Sequence, residues 1–201
     1  MTLGTAGVRG DGPNEFDQPT AILVAPDGNL FVTNGHGMGA DRVMKLTSDG
    51  DFIKAWGSSG SGPGQFNIPH ALALDSQGRL FVGDRNNARV QIFDQEGELL
   101  DIYKQYSRIS GLFISDDDTL YAIDSESDDN YNPGWRKGLR VGSALTGDVW
   151  YFVPEHISPR ASGMGGVGSM GEGVTADAQG NVIAGEVGPI QGLTKFIKVL
   201  N

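Results

Sequence analysis

The stretch Gly62-Pro-Gly-Gln-Phe-Asn-Ile-Pro-His-Ala-Leu-Ala-Leu-Asp-Ser-Gln-Gly-Arg-Leu-Phe-Val-Gly-Asp-Arg-Asn-Asn-Ala-Arg-Val-Gln-Ile-Phe93 decides the fold, because the chain repeats it. Phe16 to Leu46 carries the same pattern, with a short Gly-rich insert before Arg42-Val-Met-Lys-Leu46. The period is about 50 residues, and a fixed period of this size marks a repeat architecture. Ser110 to Asp124 is a third copy and Gly171 to Glu186 a fourth. Each copy holds an apolar run, a turn such as Pro26-Asp27-Gly28 or Ser76-Gln77-Gly78, and a second apolar run, which reads as a β-hairpin. Third strands are expected at 42–46, 89–93, 149–153 and 194–199, and fourth strands at 51–56 and 98–104. Four antiparallel strands per repeat make a propeller blade.

The expectation is therefore an all-β, single-domain propeller of about four blades, at 12–57, 58–105, 106–154 and 160–201. The fourth copy stops after its third strand, whereas Met1-Thr-Leu-Gly4 matches the end of a fourth strand. Residues 1–4 are expected to complete a blade. They would do so in their own chain, or in a neighbour, giving a homo-oligomer by strand exchange and sparing an open sheet edge.

Composition narrows the function. The net charge of −10 argues against nucleic acid, whose phosphates call for clustered Lys and Arg. It leaves room for a divalent cation. There are no cysteines, so disulfides and thiolate metal sites are out. No apolar stretch is long enough to span a bilayer, and no signal peptide is legible, so the expectation is no membrane partner and a cytoplasmic chain as expressed.

The repeat alignment also sets out two polar rings. Thr20, His70, Ser110 and Glu172 precede the first strand of each blade; Asn34, Asp84, Asp124 and Glu186 end the second. In an antiparallel pair these two positions share one end of the blade, here the mouth of the central channel. His70, Glu172 and His36 have metal-ligand chemistry, suited to zinc, with calcium as the oxygen-rich alternative. Acids at strand ends also serve as plain acceptors of turn N–H groups, so Asp84 and Asp124 stand open between substrate binding and scaffolding. Arg42 and Arg89 occupy equivalent positions, which suits a repeated structural contact. Arg85 has no counterpart at Gly35, Ser125 or Val187, which suits a specific role in holding an anionic group. The insert at 126–147, with Trp135, and the Gly-rich run 162–173, with Met170, enter the same face as candidate substrate contacts.

Phe66 to Gln91 resembles an NHL repeat, and more narrowly the bacterial relatives of peptidyl-α-hydroxyglycine α-amidating lyase. That resemblance implies a six-bladed propeller with a catalytic zinc held by three histidines of Pro-His motifs and a structural calcium. The family cleaves a carbinolamide into a peptide amide and glyoxylate. On this chain His70 in Ile68-Pro-His70 matches one zinc histidine, and Glu172 stands where another is found. Arg85 matches an active-site arginine, and His36 stands in place of the catalytic tyrosine. The repeat bearing the third histidine would precede Met1. The leading expectation is a metal-dependent lyase acting on a small polar substrate, with His36 and Arg85 catalytic. A promiscuous hydrolase of phosphotriesters, esters or lactones, and a non-catalytic NHL scaffold, are the alternatives.

Overall fold

The computed structural model describes residues 1–37, 39–155, 171–186 and 192–199. It is an all-β arrangement of four antiparallel sheets, the blades of a propeller, with one 3₁₀ turn (Arg85–Asn87) and no α-helix among the described residues. Blade 1 is β1 (Pro19–Val24), β2 (Leu30–Asn34), β3 (Arg42–Leu46) and β4 (Phe52–Trp56). Blade 2 is β5 (Pro69–Leu74), β6 (Leu80–Asp84), β7 (Arg89–Phe93) and β8 (Leu99–Tyr103). Blade 3 is β9 (Gly111–Ile114), β10 (Thr119–Asp124), β11 (Gly138–Ser143) and β12 (Val149–Pro154). Blade 4 has three described strands, β13 (Gly173–Ala176), β14 (Val182–Glu186) and β15 (Gly192–Phe196).

Every blade is an up-and-down meander, so neighbours in sequence are neighbours in the sheet. The first hairpin of each blade closes by the same turn. Ala25 N–H bonds the Asn29 carbonyl, Asp75 that of Arg79, Ser115 that of Thr119 and Asp177 that of Asn181. The tight position of this turn needs positive φ, which Gly78 adopts at 75° at little cost. In blade 3 Asp118 holds φ 59° there, in the region Asp tolerates better than most residues.

Alternation along the strands builds the interior. From β6, Leu80 and Val82 pack with Phe31, Val43 and Phe66 between blades 1 and 2. Phe81, of opposite parity, packs with Tyr106, Ile109, Leu120 and Ala122 between blades 2 and 3. Tyr121 and Ile123 then meet Leu139, Val182 and Ala184 between blades 3 and 4. The inner strands pack in succession, β1 on β5, β5 on β9 and β9 on β13, which brings the first-strand starts into one belt. Gly83 sits where the second and third blades approach most closely; a Cβ there would lie 2.7 Å from Ile109 Cγ2.

The third blade corrects one strand assignment. Val149–Pro154 is its fourth strand, and the third is Gly138–Ser143, inside the stretch read as an insert. Gly138, Arg140 and Gly142 interrupt the apolar pattern and hid it. The genuine insert is the loop 125–137 between β10 and β11. Residues 1–4 carry no strand in this chain; Met1 and Leu3 lie against Gly50 of blade 1.

Candidate functional site at the channel mouth

In the second-strand ring, Asn34, Asp84 and Asp124 are buried and richly hydrogen-bonded. Asn34 Oδ1 accepts from Asp17 N–H at 2.7 Å, and Asp84 Oδ1 from Asn67 N–H at 2.8 Å, the same contact one repeat later. Asp84 Oδ2 further accepts from Asn87, Gln91 and, at 2.7 Å, Arg89 Nε. Asp124 accepts from the Glu126 and Ser127 N–H groups and from the Ser107 and Ser127 hydroxyls. Asp84 and Asp124 are fully buried, and their oxygens tie each entering loop to its blade. Arg89 and Arg42 do the same work from the third strand, gripping carbonyls of the loops 61–65 and 11–15.

The first-strand ring differs. Thr20 Oγ1 donates to the Pro69 carbonyl of the next blade. His70 Nδ1 lies 2.8 Å from the Ser110 carbonyl of the blade after it. A carbonyl only accepts, so Nδ1 carries the proton. Burial pushes the His70 imidazole below its ordinary pKa; the Ser110 bond opposes this and the Arg85 charge adds to it. The neutral ring then presents the Nε2 lone pair to Glu172 Oε2, 3.8 Å away. Glu172 Oε2 is itself buried with no hydrogen-bond partner among the described residues. The other oxygen, Oε1, accepts from Ser125 Oγ at 2.9 Å and lies 3.5 Å from Arg85 Nη2. Two acceptors thus face each other across a gap that neither can fill.

His36 lies beside them, its ring centroid 5.5 Å from that of His70 and tilted by 54°. Arg85 is nearly buried, pairs with Glu126 as well as Glu172, and leaves Nε without a hydrogen-bond partner among the described residues. Glu126 also accepts from Arg108 Nη2 at 2.7 Å. Burial pushes the Glu126 carboxyl up, but the Arg108 hydrogen bonds and the Arg85 and Arg108 charges outweigh it and leave the group below the usual range.

The structure therefore brings His36, His70, Arg85 and Glu172 together. It leaves Asp84 and Asp124 behind them as anchors, and Trp135 further out, stacked on Arg140 at 5.0 Å. Met170 lies outside the described residues. Glu126, Ser125 and Arg108 were missed. A signal for Glu126 existed: two residues past the second-strand acid or amide, the copies carry His36, Asn86 and Glu126, a further polar ring. No three His, Asp or Glu side chains converge as a ready-made metal cage among the described residues.

Outward from the mouth, between blades 2 and 3, the insert walls a cavity of about 760 Å³ that Arg85 and Glu126 border. No described helix is long and apolar enough to cross a membrane.

Comparison with known proteins agrees with this architecture. The NHL repeat family model matches residues 66–93. NHL repeat-containing protein 3 of Mus musculus is 42% identical over 105 residues, 50% of this chain and 30% of that protein. Its Homo sapiens counterpart is 42% identical over 103 residues, with the same coverage. The chain thus spans under a third of these relatives. Among solved structures, Kuenenia stuttgartiensis hydrazine synthase superposes with TM-score 0.63 at 18% identity, over 97% of this chain and 49% of that one. A catalytically inactive histidine-to-alanine form of Staphylococcus aureus virginiamycin B lyase, with quinupristin, gives 0.59 at 16% identity, over 92% and 56%. At these identities the likeness is one of fold.

Proposed function

We propose that this β-propeller, which carries an NHL repeat, is a metal-dependent enzyme of lyase type acting on a small polar substrate at its channel mouth. One observation carries the reading: the partnerless Glu172 Oε2 faces the Nε2 lone pair of a neutral His70 at 3.8 Å. Glu172 Oε2 is buried and His70 half-buried, and an unsatisfied carboxylate oxygen in such a place calls for a proton or a cation beside it. Burial opposes a proton on His70 while the Glu172 charge favours one; we read the bridging group as a divalent cation because both donors are metal ligands by type. Imidazole nitrogen and carboxylate oxygen are zinc donors, and the Nδ1–H bond to a carbonyl is the outer support that ligating histidines use. His36, its ring centroid 5.5 Å from that of His70, would become a third donor only on moving closer, and is otherwise placed to act as a base. Calcium asks for more oxygen donors than Glu172 brings.

A bound cation would polarise a substrate oxygen or lower the pKa of a bound water. The chain supplies the rest. Arg85, buried and held by Glu126, presents a fixed positive charge to an anionic or developing oxyanion group. Ser125 and Arg85 keep Glu172 Oε1 occupied, which turns Oε2 toward His70. His36 takes or returns a proton beside the reacting atoms. Virginiamycin B lyase, similar in fold and inactive after one histidine-to-alanine change, supports a histidine-dependent lyase on such a scaffold.

The test is metal content by plasma mass spectrometry for the parent and His70→Ala, with activity on carbinolamide peptides, lactones and phosphotriesters before and after EDTA. Zinc near one per chain, lost in the variant, together with EDTA-sensitive carbinolamide cleavage, supports the proposal. Cleavage confined to lactones or phosphotriesters would make it a hydrolase. A metal-free parent would leave a propeller scaffold.

A further inference from the structure

We propose that the cavity under the 125–137 loop is a binding site for an uncharged, hydroxyl-rich ligand, of saccharide or polyol type. Its volume, about 760 Å³, lies within the range of small-molecule sites. Its wall is built and held. Asn132 Nδ2 donates to the Ser107 and Ser127 hydroxyls at 2.8 and 3.1 Å, pinning the loop to the Asp124 network. Asp128 Oδ1 caps the Asn130 and Tyr131 N–H groups. The Trp135 ring rests on Arg140, which Phe152 covers from 4.7 Å. A wall fixed in advance spares the ordering cost of binding.

The chemistry of the lining selects the ligand. Its three cations all have carboxylate partners: Arg85 pairs with Glu126 and Glu172, Arg108 with Glu126, and Lys137 with Glu155 at 3.8 Å. A phosphate or carboxylate entering the cavity would have to compete with these carboxylates and with Asp128. The groups left over are of both kinds. Asn130 keeps its whole side-chain amide, Asn67 its Nδ2, Asn132 its Oδ1 and Asp128 its Oδ2, none with a hydrogen bond among the described residues. Donors and acceptors side by side match groups that both donate and accept, and the hydroxyl is that group. Tyr131 completes the set. Its ring is 59% exposed, beside the Arg108 guanidinium at 5.6 Å, and offers an apolar plate with a polar tip to the C–H face of a sugar ring.

Arg85 and Glu126 border both this cavity and the channel mouth, so a ligand held here reaches toward His70 and Glu172. Binding itself needs neither the cation nor catalysis, and the test keeps the two apart. EDTA-treated parent protein is titrated by saturation-transfer NMR and calorimetry with glucose, N-acetylglucosamine, cellobiose and maltose, and separately with inorganic phosphate and citrate. At least one saccharide is expected to bind. Its affinity should fall tenfold or more in Tyr131→Ala and in Asn130→Ala, both exposed positions whose loss leaves the melting temperature alone, and should persist in His70→Ala. Tyr131→Phe, which keeps the plate, should retain most of it. Binding of phosphate or citrate with no saccharide, no binding at all, or saccharide binding indifferent to Tyr131 and Asn130 would each overturn the proposal, whatever the metal assay shows.

Discussion

Two polar rings share one end of the blades and have opposite fates. At the second-strand ends, Asp84 and Asp124 are fully buried and every oxygen is engaged. At the first-strand starts, His70 and Glu172 keep a lone pair and an oxygen in reserve. Residue type does not separate them, since both rings mix carboxylates with small polar groups. What separates them is how many donors the surrounding backbone aims at each. Loops that enter a blade run past the second-strand end and deliver N–H groups to it, whereas at the first-strand start His70 and Glu172 meet a carbonyl of the next blade and a few neighbouring side chains. For Asp84 and Asp124 the acceptors are used up in scaffolding, whereas His70 and Glu172, the core of the proposed site, keep theirs.

The largest effect tests the scaffolding half. Asp84→Ala removes the partner of a buried Arg89 and strands the Asn67 N–H, Asn87 and Gln91. Breaking a buried pair on one side costs about 3–5 kcal/mol, and urea unfolding should show a loss of this size. A loss under about 1 kcal/mol, the scale of an exposed pair, would erase the distinction between the rings.

Next comes the interior that holds the rings in register. Gly83→Ala drives a methyl to within 2.7 Å of Ile109 Cγ2 on the facing blade. Overpacking of this kind costs about 1–3 kcal/mol. Pairing it with Ile109→Ala, which removes the clashing Cγ2, should cost less than the sum of the two single changes in the same unfolding assay, because the two sites touch.

The functional half predicts a split. His70→Ala gives up one hydrogen bond, to the Ser110 carbonyl, so it should cost about 1 kcal/mol, while abolishing metal retention and turnover. If His70→Ala unfolded the chain as Asp84→Ala does, His70 would belong to the scaffold.

The comparison also explains what the sequence could and could not carry. The blades were legible because hairpins repeat locally: Pro26-Asp27-Gly28 and Ser76-Gln77-Gly78 announce their turns without help from the rest of the chain. Strand β11 was not, because Gly138 and Gly142 contribute no apolar face and Arg140 is kept in the sheet by tertiary contacts, with Trp135, Phe152 and Asp124 around its guanidinium. His70, Glu172, Arg85 and His36 were located by repeat position and do meet. The division of labour between Glu172 and Asp84 could not be read, because it depends on Asn67 N–H and Ser125 Oγ arriving from distant turns. The same holds for the cavity, whose wall exists only once Asn132 finds Ser107.

The smallest effect lies at the seam between mouth and cavity, and it is a matter of pH. Glu126 is 40% exposed and holds Arg85 and Arg108 together. Burial alone would raise its pKa; the Arg108 hydrogen bonds and the charges of Arg85 and Arg108 bring it below the ordinary range. A carboxylate depressed by folding contributes stability that is fully present above the unfolded pKa, about 4.3 for Glu, and is lost as pH falls through the lower folded value. Solvent screens a group this exposed, so the contribution should stay under about 1 kcal/mol. Glu126→Gln should therefore flatten a small part of the acid limb of the unfolding profile and leave neutral stability within that margin. Ligand binding gives the sharper reading. With Glu126 neutral, Arg85 and Arg108 lose their shared carboxylate, and the cavity becomes a cationic site. Phosphate should then begin to bind in Glu126→Gln at neutral pH, and in the parent only as pH drops below the glutamate range. If phosphate bound the parent equally well at neutral pH, Glu126 would not be what keeps this cavity neutral.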